Sequence, residues 1–443
     1  MSEFSKNVFS HYANVTPGHL MIGGVSAAQL ATEFGTPLFV LDEADFFDRA
    51  TAWKQALEQA FGDRAGTVYY AGKSFLCKEV TRWLAVVGIG LDVCTGGELA
   101  VAQATNFPMK RVQVHGNNKS ESEIRTAIQA GVATLVVDSF QEIERIERIA
   151  AELNTIQRVF LRVTAGVEAH THEFISTAHE DVKFGFSIAS GAAWRAIHEV
   201  TAASHIELAG LHSHIGSQIF MSEGFEAAAA KLIALLAQYR DEFASELPEL
   251  DLGGGYGIAY LPDETTLEPV GILTELAAIV RAQCAAHGLS VPKISIEPGR
   301  AIVGPTTTTL YTVGTTKDVV LEDGGIRRYL SVDGGMSDNI RPALYEAEYH
   351  AIIANRTSSA PTINTRVVGK HCESGDIVIR SIALADDAGP GDLLAIPATG
   401  AYGRSMASNY NHVPRPAVVA VIDGAARVIV RRETHEDILA LDQ

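Results

Sequence analysis

The sequence predicts an α/β protein: a (β/α)8 barrel of the TIM type, followed by a C-terminal β-rich domain of β-sandwich or barrel-like form that also takes in the N-terminal segment. Three observations predict it. From Thr67 onward, short apolar runs alternate with amphipathic stretches, the pattern of strands and helices in a parallel sheet. Eight such repeats fit within about 250 residues, the size of a barrel. After Arg300 the pattern gives way to short strand-like runs punctuated by Gly, Pro and Asp, with few helices. A doubly wound open sheet is the rival architecture, and the count of eight argues against it. The boundaries read as 1–43 for the N-terminal segment, 44–305 for the barrel and 306–443 for the β domain.

The N-terminal segment carries Pro17, Gly18, Gly23 and Gly24 before Thr36–Leu41, which reads as a strand. Phe46, Ala50, Trp53 and Leu57 then fall at helical spacing. The eight barrel strands are expected at Thr67–Ala71, Gly90–Val93, Val112–His115, Thr134–Val137, Val159–Val163, Ile206–His214, Glu249–Leu252 and Lys293–Glu297. Between them, Ser120 reads as a helix start, with Ile124, Ala127 and Ile128 facing inward. Ile143, Ile146, Ile149, Ala150 and Leu153 form one apolar stripe. In the β domain, strand-like runs are expected at Ala301–Val303, Thr306–Val313, Arg327–Val332, Thr365–Val368, Asp376–Ile379, Leu393–Ile396 and Pro416–Val421.

Composition narrows the function. The 443 residues are 47% hydrophobic and 20% charged, enough for a large core and two domains. The formal charge of −18 disfavours nucleic acid and anionic membrane surfaces as partners, and is indifferent to small zwitterions. The amino end, Met1-Ser-Glu-Phe-Ser-Lys, is polar, and no uninterrupted apolar run reaches membrane-helix length. Cys77, Cys94, Cys284 and Cys372 are scattered without paired spacing, which fits a reducing cytoplasm.

In a barrel, chemistry sits at the carboxyl ends of the strands. Four unusual stretches fall there. Lys73 follows the first strand, in Val68-Tyr-Tyr-Ala-Gly-Lys73; a lysine amine forms a Schiff base with an aldehyde cofactor, although most lysines are simply solvated. His212-Ser-His-Ile-Gly-Ser217 ends strand six, Asp251-Leu-Gly-Gly-Gly-Tyr-Gly257 follows strand seven, and Glu297-Pro-Gly-Arg300 ends strand eight. The glycine run reads as a phosphate cradle or as a flexible turn. His212 and His214 share one strand face, and His170 and His172 repeat the spacing, so a metal site is available by residue type; no metal is expected, because strand one offers a lysine where a barrel hydrolase wants ligands. Glu297 beside a pyridine nitrogen would stabilise a protonated ring. Cys372 reads as a proton donor or as a structural thiol, and the Gly400–Asn411 stretch as a ligand-facing loop.

Together these motifs resemble the fold-type III pyridoxal-phosphate decarboxylases, and within them the diaminopimelate decarboxylases. The resemblance runs from about Thr36 to Pro416 on YYAGKS, HGNNKS, HSHIGSQ, DLGGGYGI, EPGR, RPALY, CESGD and GAYGRSMASNYN. The last three separate this branch from the ornithine and arginine branches. The resemblance implies pyridoxal 5'-phosphate as cofactor and conversion of meso-2,6-diaminopimelate to L-lysine and carbon dioxide, in a homodimer with shared active sites. It makes Lys73 the Schiff-base lysine and puts His214 on the cofactor ring. Ser217, Gly254, Gly255, Gly299 and Arg300 fall around the phosphate, and Glu297 at the ring nitrogen. Arg300, Arg341, Tyr345 and Glu373 become substrate-binding residues, Tyr402 touches both ligands, and Cys372 is the proton donor given by the partner subunit. The usual lysine motif has a bulkier residue at Gly72 and Ala-Asn after the lysine, where this chain has Ser74-Phe75. Open alternatives are an ornithine or arginine decarboxylase, a non-catalytic cofactor carrier and a metal-dependent barrel hydrolase.

Overall fold

The structure, a computed structural model, describes residues 7–16, 18–166 and 183–443. The chain divides into two compact units, one of Arg49–Gly257 with Leu267–Gly299, the other of Met1–Asp48, Ile258–Thr266 and Arg300–Gln443.

The first unit is a closed parallel barrel. Its strands are β1 (Ala65–Ala71), β2 (Gly90–Val93), β3 (Val112–Val114), β4 (Thr134–Val137), β5 (Gln157–Thr164), β6 (Ile206–His212), β7 (Glu249–Asp251) and β8 (Lys293–Ile296). Each pairs in parallel with the next, and β8 pairs with β1, which closes the ring. The strands are almost wholly buried because helices cover the outside and side chains fill the inside. The helices begin where the sequence provides caps. Ser120 accepts from the Glu123 N–H while the Glu123 carboxylate accepts from the Ser120 N–H, a capping box that opens the helix Glu121–Ala130. Its Ile124, Ala127 and Ile128 are buried, as their spacing predicts. Among the described residues one helix, Pro269–His287, is long and apolar enough by composition to cross a membrane. Glu275 and Arg281 interrupt it, and Ile272, Leu273, Leu276, Ala277, Val280 and Cys284 are buried.

The second unit is built on an antiparallel and mixed sheet. Its path runs Ile377–Ala385, Thr362–Val368, Ile326–Val332, Thr307–Val320, Leu38–Asp42, Ala417–Ile422, Ala425–Val430. The Leu38–Asp42 strand lies between two partners far away in sequence, antiparallel to Thr307–Val320 and parallel to Ala417–Ile422. Leu38 and Val40 thereby enter a core with Leu20, Ile22, Leu310 and Val419. Two features differ from the sequence expectation. The run Ala301–Val303, expected as a strand, is one turn of helix, Arg300–Val303, closed by the Gly304 N–H on the Arg300 carbonyl at 2.8 Å. Three apolar residues carry no period, so strand and helix read alike. The glycine-rich start holds a small three-stranded sheet, Asn14–Thr16, His19–Ile22 and Val25–Ser26, too short to show alternation.

Leu38 is fully buried in that core. Leu38→Ala is expected to lower stability by about 2–5 kcal/mol through lost burial and the cavity left behind. Chemical denaturation of the two proteins measures it.

Candidate active site

The carboxyl end of the barrel collects polar side chains that the sequence scatters over two hundred residues. On β3 the apolar Val112 and Val114 alternate with Gln113, and His115 follows on the Gln113 face. His212 ends β6, Asp251 ends β7 and Glu297 follows β8. All are buried. The Glu297 carboxylate is the centre of the group. Its Oε1 lies 2.9 Å from His115 Nε2, 3.0 Å from Gln113 Nε2 and 3.2 Å from His212 Nε2, the last off the line of a good hydrogen bond. None of these approaches is to Oε2. Burial alone would lift the Glu297 pKa; the two imidazoles outweigh it and hold the carboxylate well below its ordinary range. The neighbouring acids go the other way. Burial pushes Asp92 up to about 7 against the pull of His115, and burial with the nearby Glu297 charge raises Asp251.

Lys73 sits at the mouth of the barrel in a tight turn, Gly72–Ser74, directly after β1. Ser74 Oγ donates to the Ala71 carbonyl at 2.7 Å, and a side chain at Gly72 would stand 2.8 Å from the Asp92 carbonyl. The bulkier residue usual at this position would meet that carbonyl. The Lys73 charge is felt by Asp92 and by His214. His214 is held neutral: burial first, then the Lys73 and Arg162 charges, drive its pKa well below the usual value. Its Nδ1 accepts from the Gly254 N–H at 3.2 Å, which fixes the proton on Nε2.

The glycine run is a close-packed turn. Gly253 and Gly255 have φ of +70° and +104°. A Cβ on Gly254 would lie 2.3 Å from the Glu297 carbonyl oxygen, and one on Gly255 2.4 Å from that of Gly216, next to Ser217. A Cβ on Gly299 would lie 2.8 Å from the Ala71 Cβ, beside the lysine turn. Only glycine lets these loops approach so closely.

The second unit carries a separate cluster. The buried Arg300 and Arg341 share Tyr260: the Arg300 guanidinium donates to the Tyr260 hydroxyl, and the Arg341 guanidinium lies 4.5 Å from the centre of the same ring. Arg341 also donates to the Tyr349 hydroxyl, and Arg300 lies 4.8 Å over the Tyr402 ring. Tyr402 is held at φ +61°, a strained conformation for a non-glycine residue. Among the described residues no carboxylate pairs with Arg341. Burial works against its charge, and the surrounding tyrosines outweigh it, so its pKa is raised. Tyr345 ends the short helix Arg341–Tyr345. Cys372 and Glu373 stand on an exposed loop between Thr362–Val368 and Ile377–Ala385. That loop is pinned by the Asp376 carboxylate, which accepts from the His371 and Met336 N–H groups, and by Asn411 Oδ1, which faces the Cys372 N–H at 3.3 Å.

The family model described as "Pyridoxal-dependent decarboxylase, pyridoxal binding domain" matches residues 43–304. The diaminopimelate decarboxylase of Mycobacterium tuberculosis is 54% identical over 429 residues, which cover 96% of this chain and 95% of that one. That of Bacillus subtilis is 47% identical, with 96% and 95% covered. The chain belongs to the diaminopimelate decarboxylase family. The crystal structure of the M. jannaschii diaminopimelate decarboxylase with L-lysine superposes with a TM-score of 0.89 at 32% identity, covering 98% of each chain. The enzyme is a pyridoxal-phosphate-dependent decarboxylase, and the barrel residues fit that cofactor. Glu297 is an ionised carboxylate with one oxygen crowded by nitrogens and the other outside that group. His214 is a neutral ring, and the glycine turn leaves no room for side chains.

Sequence reading missed Gln113, His115, Asp92, Asp251 and Arg162 as members of the site, and Tyr260 and Tyr349 beside the arginines. A polar residue in the middle of Val112–Val114 was the available signal for Gln113. His115, His212 and Glu297 are a possible ligand set by type. The Gln113 amide nitrogen lies 2.9 Å from His115 Nε2 and 3.0 Å from Glu297 Oε1, in contact with two of the three. His170 and His172 lie outside the described residues.

Gly254→Ala is expected to force the loop off the Glu297 carbonyl, destabilise the protein by about 1–3 kcal/mol and weaken cofactor retention. Cofactor absorbance after gel filtration, with a thermal melt, checks both.

Proposed function

We propose that this enzyme decarboxylates meso-2,6-diaminopimelate to L-lysine and carbon dioxide, the last step of lysine biosynthesis. The observation that carries the substrate is Arg341, a buried guanidinium braced by tyrosines with no carboxylate partner among the described residues. A planar guanidinium matches a carboxylate fork to fork. Diaminopimelate carries a second carboxylate that ornithine and arginine lack. A substrate without it leaves the cation unpaired, a mismatch that can give discrimination on the order of 10⁴.

When bound, pyridoxal phosphate supplies the electron sink that accepts the electron pair left by the departing carboxylate. In this reading Lys73 Nζ holds the cofactor covalently. Glu297 Oε2 faces the ring nitrogen and keeps it protonated. The neutral His214 lies on the ring face without adding charge there. Ser217, Gly254, Gly255, Gly299 and Arg300 surround the phosphate, where the glycines keep side chains out. Arg300, Arg341, Tyr345, Glu373 and Tyr402 bind substrate, and Tyr402 also touches the cofactor. The exposed Cys372 Sγ returns the proton, donated into the site of a second subunit of a homodimer. A cytoplasmic location fits this small-molecule chemistry and four free cysteines.

Two experiments test this. Purified enzyme with added cofactor, given meso-diaminopimelate, ornithine and arginine separately, is expected to release carbon dioxide and lysine from the first alone. Product from ornithine or arginine would overturn the substrate. Lys73→Ala and Cys372→Ala are each expected to be severely impaired. Mixed and allowed to exchange subunits, they are expected to recover about a quarter of wild-type activity. Half the dimers are then mixed, and each mixed dimer has one intact site of two. No recovery after demonstrated exchange counts against a shared site.

A further inference from the structure

Gln113 is fully buried on the third barrel strand, and its amide nitrogen touches two carboxylates at once, Asp251 Oδ2 at 3.1 Å and Glu297 Oε1 at 3.0 Å. An amide nitrogen has two hydrogens, and these two oxygens take them. The third neighbour, His115 Nε2 at 2.9 Å, is equally close to Glu297 Oε1 and directs its own proton there. Turning the amide over would set its oxygen 3.0 Å from the ionised Glu297 Oε1. Its Oε1 has no hydrogen-bond partner where it now points, so the nitrogen's two contacts hold the orientation. Asp251 is tied at its other oxygen by the Gly253 N–H at 2.8 Å. Gln113 therefore links Asp251, at the start of the glycine turn, to the carboxylate after β8.

We propose that Gln113 is a positioning residue for the decarboxylation: by giving one hydrogen to Asp251 and one to Glu297, it saturates Glu297 Oε1 and leaves Oε2 as the oxygen that meets the ring nitrogen of the cofactor. This rests on the reading that Glu297 is the partner of that nitrogen. Without the amide, Glu297 Oε1 keeps the His115 proton but loses its second donor, and the carboxylate is held less firmly about its last bond. Its affinity for a proton rises, and its hold on a protonated ring weakens.

The test loads wild type, Gln113→Leu and Glu297→Gln with pyridoxal phosphate labelled with ¹⁵N in the ring, and reads the ring-nitrogen resonance without substrate. The Glu297→Gln signal is expected to move toward that of a neutral pyridine, and the Gln113→Leu signal to move the same way by a smaller amount. In the same Gln113→Leu protein kcat is expected to fall about ten- to hundredfold, the range of a lost hydrogen bond to a charged group, with little change in KM. A wild-type resonance and kcat in Gln113→Leu, with Glu297→Gln shifted, would overturn the role of Gln113 alone. An unshifted Glu297→Gln would overturn the reading of Glu297, and the proposal with it. If Gln113→Leu does not fold, Gln113→Asn keeps an amide drawn back by one methylene, which reaches one acid and not both. The same displacement is expected there, and an unmoved signal in folded Gln113→Asn sinks the proposal.

Discussion

A buried, ionised carboxylate is expensive, by several kcal/mol even after the protein relaxes around it. Glu297 is such a group, and much of the barrel unit can be understood as the means of keeping it charged. The nitrogens that crowd its Oε1 come from β3 and from the end of β6, neither of which is hydrogen-bonded to β8. They reach it across the inside of the barrel, so the cluster exists only when the sheet has closed. Asp92 and Asp251 add to the burden, because three buried carboxylates in one cluster cannot all ionise cheaply. The environment divides them: two are raised and one is lowered. Negative charge is thus concentrated on the group that faces a ring nitrogen in the proposed chemistry, and neighbouring acids are kept from competing for that proton.

The same constraint explains the backbone around the site. The loops after β6, β7 and β8 touch main chain to main chain, at contacts a single Cβ would break. That closeness lets the Gly254 N–H fix the His214 tautomer and the Gly253 N–H hold Asp251. A run of glycines read in isolation allows a flexible turn or a cradle. The packing decides between them, because each glycine has a specific atom against it.

How much of this was legible in the sequence depends on range. The eight strands were readable because alternation of apolar runs and amphipathic helices is a local pattern, and the strand ends fall within a residue or two of where that pattern breaks. Lys73, His214 and Glu297 could be placed at the mouth of the barrel because each is a polar residue just past a strand's carboxyl end, and the structure puts them there. Gln113 and Asp251 were not readable as a pair. They are 138 positions apart, and their meaning lies in two distances near 3 Å that no spacing encodes. The Ala301–Val303 turn was misread for the opposite reason: its context is local, but three residues are too few to show a period.

The arginine cluster shows a different solution to burying charge. Glu297 is stabilised by nitrogens that come close and stay. Arg341 is braced by the Tyr349 hydroxyl and the faces of the Tyr260 and Tyr349 rings, with centroids 4.5 and 5.5 Å away. Aromatic faces attract a guanidinium without neutralising it. A built-in aspartate or glutamate would have held Arg341 more strongly, and would then have had to be displaced by any carboxylate that arrived. Tyrosines keep the cation charged, oriented and open to an anion. Under the proposed assignment of Arg341 to substrate, a site that binds a dicarboxylate and releases a product with one carboxylate fewer gains from that choice, since among the described residues no acid beside the guanidinium competes with either.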